Sequence, residues 1–204
     1  MTLSFRGGIK RMAVVTLVLA GALLASPGVQ AQRLAEQQTV QALHRALERL
    51  PQYGVFDFLA FSIDRGVVTL SGYTYTDTLK KAAERAARRV SGVDEVANRL
   101  EVLPASLNDD RIRRDAFYRI YTDSWLSRYA SGGVRSVVWD AYEFGRFPGR
   151  QPFGQYPIRI IVNRGRITLA GAVDSASDRQ IAEFRAREVF GAFGVTNELV
   201  VSND

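Results

Sequence analysis

The chain has 204 residues, 47% hydrophobic and 24% charged, with a mean hydropathy of −0.08 and a formal net charge of +6. That apolar content excludes a disordered chain and suffices for the core of one or two modest domains. The absence of cysteine excludes a disulfide framework, a thiolate metal site, a cysteine nucleophile and a lipid anchor attached through a cysteine.

The N-terminal stretch has the layout of a cleavable signal peptide. Arg6, Lys10 and Arg11 form a basic start, and residues 12–25 form an apolar run too short for a comfortable membrane span. Ser26, Pro27 and Gly28 break the run, and Val29-Gln30-Ala31 fits the box that signal peptidase inspects. Residues 1–31 are therefore expected to be removed, so that the mature chain begins at Gln32 and is periplasmic. Three of the 27 basic residues leave with the signal, so 24 then oppose 21 acids and the net charge falls to +3. An exported, weakly cationic protein suits an anionic phospholipid or lipopolysaccharide surface better than nucleic acid.

In chain order, Val40, Leu43, Leu47 and Leu50 give a helix an apolar stripe that ends at Pro51. Residues 55–63 and 67–73 are rich in aromatic and β-branched side chains and predict two strands. Asp64-Arg65-Gly66 between them fits a three-residue hairpin loop, a type I turn closed by a left-handed glycine. A helix over about 78–91 buries Leu79, Ala82, Ala83, Ala86 and Val90, while Lys80, Lys81, Arg85, Arg88 and Arg89 form a basic outer face. That face is first an ordinary solvated surface, and only secondarily a lipid or partner contact. Gly92 stops the helix, and Val96, Asn98, Leu100 and Val102 alternate along a last strand, with Arg99 and Glu101 facing water.

After a linker at 104–108, Asn108 or Asp109 caps a helix whose stripe is Ile112, Ala116, Phe117 and Ile120. Residues 131–157 then form a long loop rich in glycine, proline and arginine, carrying Trp139, Tyr142, Phe144, Phe147, Phe153 and Tyr156. A loop of that length is either functional or packed over the domain. The remainder of the chain repeats the first hairpin, helix and strand at a constant offset of 99 residues. Arg65, Gly66, Thr69, Leu70 and Gly72 recur as Arg164, Gly165, Thr168, Leu169 and Gly171. Ala83, Glu84, Ala87, Arg88 and Val90 recur as Ala182, Glu183, Ala186, Arg187 and Val189. Gly92, Val96, Asn98, Leu100 and Val102 recur as Gly191, Val195, Asn197, Leu199 and Val201. An ungapped register of this kind marks one duplicated αββαβ module. Ser175 and Asp178 give the second copy's later helix its start signal.

The residues 66–72 and 92–102, repeated at 165–171 and 191–201, resemble the BON domain (bacterial OsmY and nodulation). The resemblance implies an α+β fold with two tandem αββαβ modules, at 35–104 and 108–203, each a three-stranded sheet with both helices on one face. It also implies a periplasmic or outer-membrane-associated protein that binds phospholipid surfaces and supports envelope integrity under osmotic or other stress. The 131–157 insertion departs from the family pattern.

No catalytic constellation is visible. His44 is the only histidine, and it lies beside an apolar helix stripe without convergent metal ligands. There is no Gly-x-Ser-x-Gly elbow and no phosphate-cradling Gly-x-x-x-x-Gly-Lys, and Asp109-Asp110 sit where a helix start favours acids. The chain is therefore expected to be non-enzymatic, with no cofactor and no metal. The candidate lipid or partner contacts are Arg111, Arg113, Arg114, Tyr118 and Trp125, together with Trp139, Tyr142, Phe144 and Phe147 of the insertion. Arginines beside amphipathic rings suit a headgroup boundary, although Tyr121 and Trp125 also suit a core. The expected function is a module that associates with anionic membrane surfaces. The alternative is a protein-interaction module that assists an envelope complex without lipid affinity.

Overall fold

The computed structural model describes residues 27–147 and 150–202. The basic start and apolar run of the expected signal peptide lie outside the described residues. Among those residues no helix is long and apolar enough to cross a membrane. The chain divides into two compact units, residues 1–38 and 39–204. The described part of the first is the opening of helix α1 (Pro27–Glu48). The second holds the rest of α1 and every other element.

In the first module, β1 (Phe58–Asp64) pairs antiparallel with β2 (Val67–Thr74). Helix α2 (Asp77–Ala87) then crosses over, so that β3 (Glu95–Asn98) and its continuation β4 (Glu101–Val102) lie parallel to β2. The second module repeats this plan. Helix α3 (Leu107–Tyr121) leads to β5 (Ile158–Asn163), β6 (Arg166–Val173), α5 (Ala176–Arg187) and β7 (Gly194–Val201), with sheet order β5-β6-β7. Both helices of each module cover one sheet face. Leu43, Leu47, Ala83 and Ala87 meet Val68 and Leu70 in one core. Ile112, Phe117, Ala182 and Ala186 meet Ile160, Val162 and Leu169 in the other. The duplicated αββαβ architecture expected from the repeat is thus present.

Four local expectations are corrected. The hairpins use two-residue loops rather than three: Asp64 pairs with Val67 and Asn163 with Arg166. Both loop residues have positive φ (47° and 80° at Arg65-Gly66, 51° and 76° at Arg164-Gly165), and that twist matches the flanking strands. Ser106 caps α3 in place of Asn108 or Asp109, its hydroxyl accepting from Asp109 N at 3.2 Å. The first module's last strand is interrupted between Asn98 and Glu101, and Val102 is 40% exposed instead of buried. Finally, the insertion is not a continuous loop. Helix α4 (Gly133–Arg146) occupies half of it and buries Val137, Ala141 and Phe144, which recur at helical spacing. A short 3-10 helix (Leu126–Tyr129) precedes it.

The residues identical between copies have identifiable work. Gly72 and Gly171 (φ 109° and 112°) lie where a Cβ would stand 2.2 Å from Phe58 O and 2.0 Å from Pro157 O, so only glycine fits. Asn98 ties strand to helix, with Nδ2 donating to Lys80 O (3.1 Å) and Glu84 Oε2 (3.0 Å) and Oδ1 accepting from Leu100 N (3.2 Å). Asn197 repeats this with Arg179 O (2.9 Å), Glu183 Oε2 (3.1 Å) and Leu199 N (3.2 Å). Glu84 and Glu183 in turn hold Arg88 and Arg187.

The modules share more than a linker. Strand β1 begins at Phe58, and residues 55–57, expected as its start, lie along β5 and the insertion. Ile160 N donates to Val55 O (2.9 Å), Val55 N to Pro152 O (3.3 Å), and Phe56 N to Gln151 Oε1 (3.1 Å). Val55 and Phe56 are fully buried in the second module's core, where the Phe56 ring lies 4.9 Å from that of Phe144 and 6.3 Å from that of Phe117. The buried Asp57 carboxylate accepts from Gly54 N (2.9 Å), Tyr75 N (2.6 Å) and Gln151 Nε2. Arg159 donates to Gly54 O (2.8 Å) and stacks on the Tyr53 ring.

Replacing Asn98 or Asn197 by alanine leaves a strand N–H and a helix carbonyl without their partner, and each change should lower the unfolding free energy by about 1–2 kcal/mol in chemical denaturation. Asp57 generates a pH dependence. Burial pushes its carboxyl up to about 6 from 3.8, against the opposing pull of its three N–H donors and Arg159. The folded protein therefore holds the Asp57 proton more tightly than the unfolded chain. This contribution to stability is full below pH 3.8 and is lost as pH rises through about 6. Relative to Asp57→Asn, which does not titrate, the native protein should lose about 1 kcal/mol between pH 5 and pH 7, measured as denaturant midpoints across that range.

Candidate functional site

Helix α3 carries four arginines in nine residues, and the fold uses them differently. Arg113 shares a helix face with Ala116, Phe117 and Ile120 and is fully buried. Its Nη1 donates to Asp110 Oδ1 (2.6 Å), its Nη2 to Val162 O, and it lies 5.1 Å over the Tyr75 ring. The same Asp110 accepts from Tyr75 Oη (3.2 Å), so this cluster also joins the two modules. Arg113 is thus no surface contact. Arg119 is held by Asp115 (2.9 Å). Arg111 and Arg114 have no carboxylate partner among the described residues.

Helix α4 packs against α3, and a groove of about 600 Å³ runs between them. Arg114, Asp115, Tyr118, Val138, Tyr142 and Arg146 line it, together with Gly145. A Cβ on Gly145 would stand 2.6 Å from Arg114 Nη1, so the glycine lets the guanidinium lie against α4. A smaller hollow of about 200 Å³, lined by Leu107, Arg111, Arg114 and Phe144, adjoins it. Arg146 donates to Tyr142 Oη (3.0 Å) and lies over the ring of the exposed Phe147. The exposed Trp139 ring lies 5.9 Å from that of Tyr142. The nearby acids are occupied: Asp110 by Arg113, Asp115 by Arg119, and Glu143 by Arg150 at 3.7 Å. The result is a cationic groove edged by amphipathic rings.

Of the nine candidate contacts, Arg111, Arg114, Tyr118, Tyr142, Trp139 and Phe147 come together here. Arg113 and Phe144 do not reach the surface, since both belong to the core stripes of their helices. Trp125 is exposed rather than in the core, at the turn after α3, whereas Tyr121 is buried and donates to Ile158 O (2.6 Å). Arg146 and Val138 were not singled out in the sequence. The signal for them was the spacing of Val137, Ala141 and Phe144, which makes the segment a helix. On α2, Lys81 and Arg88 are paired with Asp77 and Glu84, as on an ordinary solvated face. His44 pairs with Glu48 on the exposed side of α1 (3.1 Å). Among the described residues no group of histidine, aspartate and glutamate could hold a metal ion.

The two αββαβ units and their shared register define a tandem α+β module protein. The chain belongs to the BON domain family, whose pattern matches residues 35–104 and 146–203. Helix α3 and nearly all of α4 fall between the two matched stretches. No curated protein matches the chain. Among solved structures it is similar to the C-terminal domain of CdsD, the structural protein of the type III secretion system of Chlamydia trachomatis. The identity is 10%, the match covers 80% of this chain and 97% of that one, and the TM-score is 0.26. A second CdsD structure from the same organism gives the same identity, TM-score and coverage of this chain, with 91% of its own length covered.

Exchanging Arg113 for serine leaves Val162 O without its guanidinium donor and Asp110 with Tyr75 Oη alone, and should cost about 3 kcal/mol of stability. The neighbouring Arg114→Ser should stay within about 0.5 kcal/mol. Thermal unfolding of the two variants side by side checks the assignment.

Proposed function

We propose that this protein is a non-enzymatic envelope module that associates with anionic phospholipid surfaces through the α3–α4 face. The observation that carries the reading is the groove and its adjoining hollow, where Arg114 and Arg111 lack carboxylate partners among the described residues while Asp110, Asp115 and Glu143 are bonded to other arginines. A guanidinium left in that state has its charge available to a phosphate, and the rings of Tyr118, Tyr142 and Trp139 provide the partly apolar rim that a headgroup boundary favours. Membership of the BON family and the signal-peptide layout of residues 1–31 support a periplasmic setting, where the inner and outer membranes both offer such a surface. The supply of charge is local rather than global: from Ser106 onward 14 arginines face 12 acids, so long-range attraction is weak and binding depends on the patch.

Co-sedimentation with vesicles of phosphatidylethanolamine and phosphatidylglycerol tests the reading. The unaltered protein should bind, and binding should fall as salt is raised. The Arg111→Ser/Arg114→Ser double variant should bind about thirtyfold more weakly, which corresponds to about 2 kcal/mol. In a Trp125→Phe background, Trp139 emission should shift to the blue on adding vesicles. If the unaltered protein does not sediment with these vesicles, the membrane reading fails and the protein-interaction alternative replaces it.

A further inference from the structure

The duplication supplies an internal control for every surface position, and one place stands out. In each module the hairpin turn is covered by the loop after the second helix. Asp94 N donates to Gly66 O at 2.8 Å in the first, and Phe193 N donates to Gly165 O at 2.8 Å in the second. A Cβ on Gly66 would stand 2.1 Å from the Asp94 carboxylate, and one on Gly165 would stand 2.7 Å from the Phe193 ring, so residues 94 and 193 occupy the same place in the fold.

Their chemistry is opposite. The first tip carries Asp64, Arg65, Asp94 and Glu95, with Val67 and Ser91, and Arg65 is paired with Asp64 at 3.3 Å. The second carries Asn163, Arg164, Phe193 and Gly194, with Arg166 and Phe190 in place of Val67 and Ser91. Three acids and one arginine have become two arginines and no acid. Arg164 and Arg166 are exposed and have no carboxylate partner among the described residues. Phe190 and Phe193 are 84% and 74% exposed, among the largest exposures of any apolar side chain among the described residues. The one acid beneath the tip, Asp109, is buried and accepts from Arg164 N (2.9 Å) and Gly165 N (2.8 Å). It therefore holds the turn in place against the first turn of α3, with its carboxylate turned inward onto the backbone rather than to solvent.

We infer that the second module's tip, Arg164 and Arg166 with Phe190 and Phe193, is an insertion point into an anionic phospholipid bilayer. This rests on the membrane function proposed for the α3–α4 face and adds a separate contact to it. Two rings projecting singly from a loop offer no continuous face for a protein partner to pack on. A bilayer interface accepts isolated rings into the acyl boundary while flanking guanidiniums meet phosphate. The first module, with the same backbone and an acidic tip, is repelled by that surface. Binding is consequently one-sided, with the second module leading.

The test transplants one tip onto the other. Phe190→Ser, Phe193→Asp and Arg166→Val give the second module side chains that the first already carries at the same positions. Circular dichroism and the unfolding midpoint report whether the fold is kept. Phe190→Ser alone, at a ring that is almost wholly exposed, is the milder companion. On vesicles of phosphatidylethanolamine and phosphatidylglycerol, the triple variant is expected to bind at least about tenfold more weakly, and the single variant measurably so. With Trp125 and Trp139 changed to Phe, a Phe190→Trp reporter is expected to shift to the blue on those vesicles and to be quenched by brominated acyl chains. If the unaltered protein binds, but both tip variants bind equally well and the reporter does not move, the tip inference is overturned while the α3–α4 reading stands. If the unaltered protein does not bind, both fall together.

Discussion

The burial of Val55 and Phe56 in the second module's core is the constraint on which the rest of residues 39–204 depends. By sequence these residues belong to the first repeat; by packing they belong to the second, against Phe117 and Phe144. Fully burying one phenylalanine is worth about 1.5–3 kcal/mol, a large share of the stability of a small domain. The polar groups around that wedge are satisfied across the same boundary, by Gln151 and Asp57 on one side and by Arg113, Asp110 and Tyr75 on the other. Removing the second module would expose Phe56 and take Gln151 from the Asp57 carboxylate; removing the first would empty the place of Phe56 and take the Tyr75 ring from the Arg113 guanidinium. Residues 39–204 are therefore packed as one compact unit rather than two beads on the linker at 104–108.

That fusion also explains why the insertion exists where it does. Residues 150–157 supply Gln151 and Pro152 to the first module, while α4 supplies Phe144 to the core that receives Phe56. A helix added for this packing has an opposite face that needs no partner inside the chain. On α4 that face holds Val138, Trp139 and Tyr142. The α3–α4 groove is thus formed from what the structural role left over, and its charge depends on which α3 arginines the core already uses.

Much of this was legible in the sequence, because the signals were local. The 99-residue register, the alternating strands and the apolar stripes of α1, α2, α3 and α5 reflect backbone period and side-chain burial, which any short window displays. The failures were equally physical. Helix α4 is apolar on both sides, so Val138, Trp139 and Tyr142 masked the buried spacing of Val137, Ala141 and Phe144, and the flanking glycines and prolines suggested a loop. Arg113 stood among three other arginines and was grouped with them, although its spacing to Ala116 and Phe117 places it on the buried face. The Phe56 wedge involves partners some 95 residues away, as its bond to Gln151 illustrates, and no local pattern announces such a contact.

Duplication separates what the fold requires from what it leaves free. Arg65-Gly66, Gly72, Glu84, Arg88 and Asn98 return unchanged in the second copy. Each sits in a hairpin turn, at a close backbone approach, or in the tie between the last strand and its crossover helix. These positions are fixed by steric and hydrogen-bonding demands that both copies share. Where the copies differ most, no such demand exists: Ser91 and Phe190 are both exposed, and neither is needed to hold its loop. The proposed bilayer contact rests on the exposed rings of Phe190 and Phe193 standing together with Arg164 and Arg166, not on the exposure of one ring. The first copy maintains the same loop with a serine. Within one scaffold the invariant residues therefore mark the architecture, and the divergent ones are the positions left free to carry the proposed membrane contact.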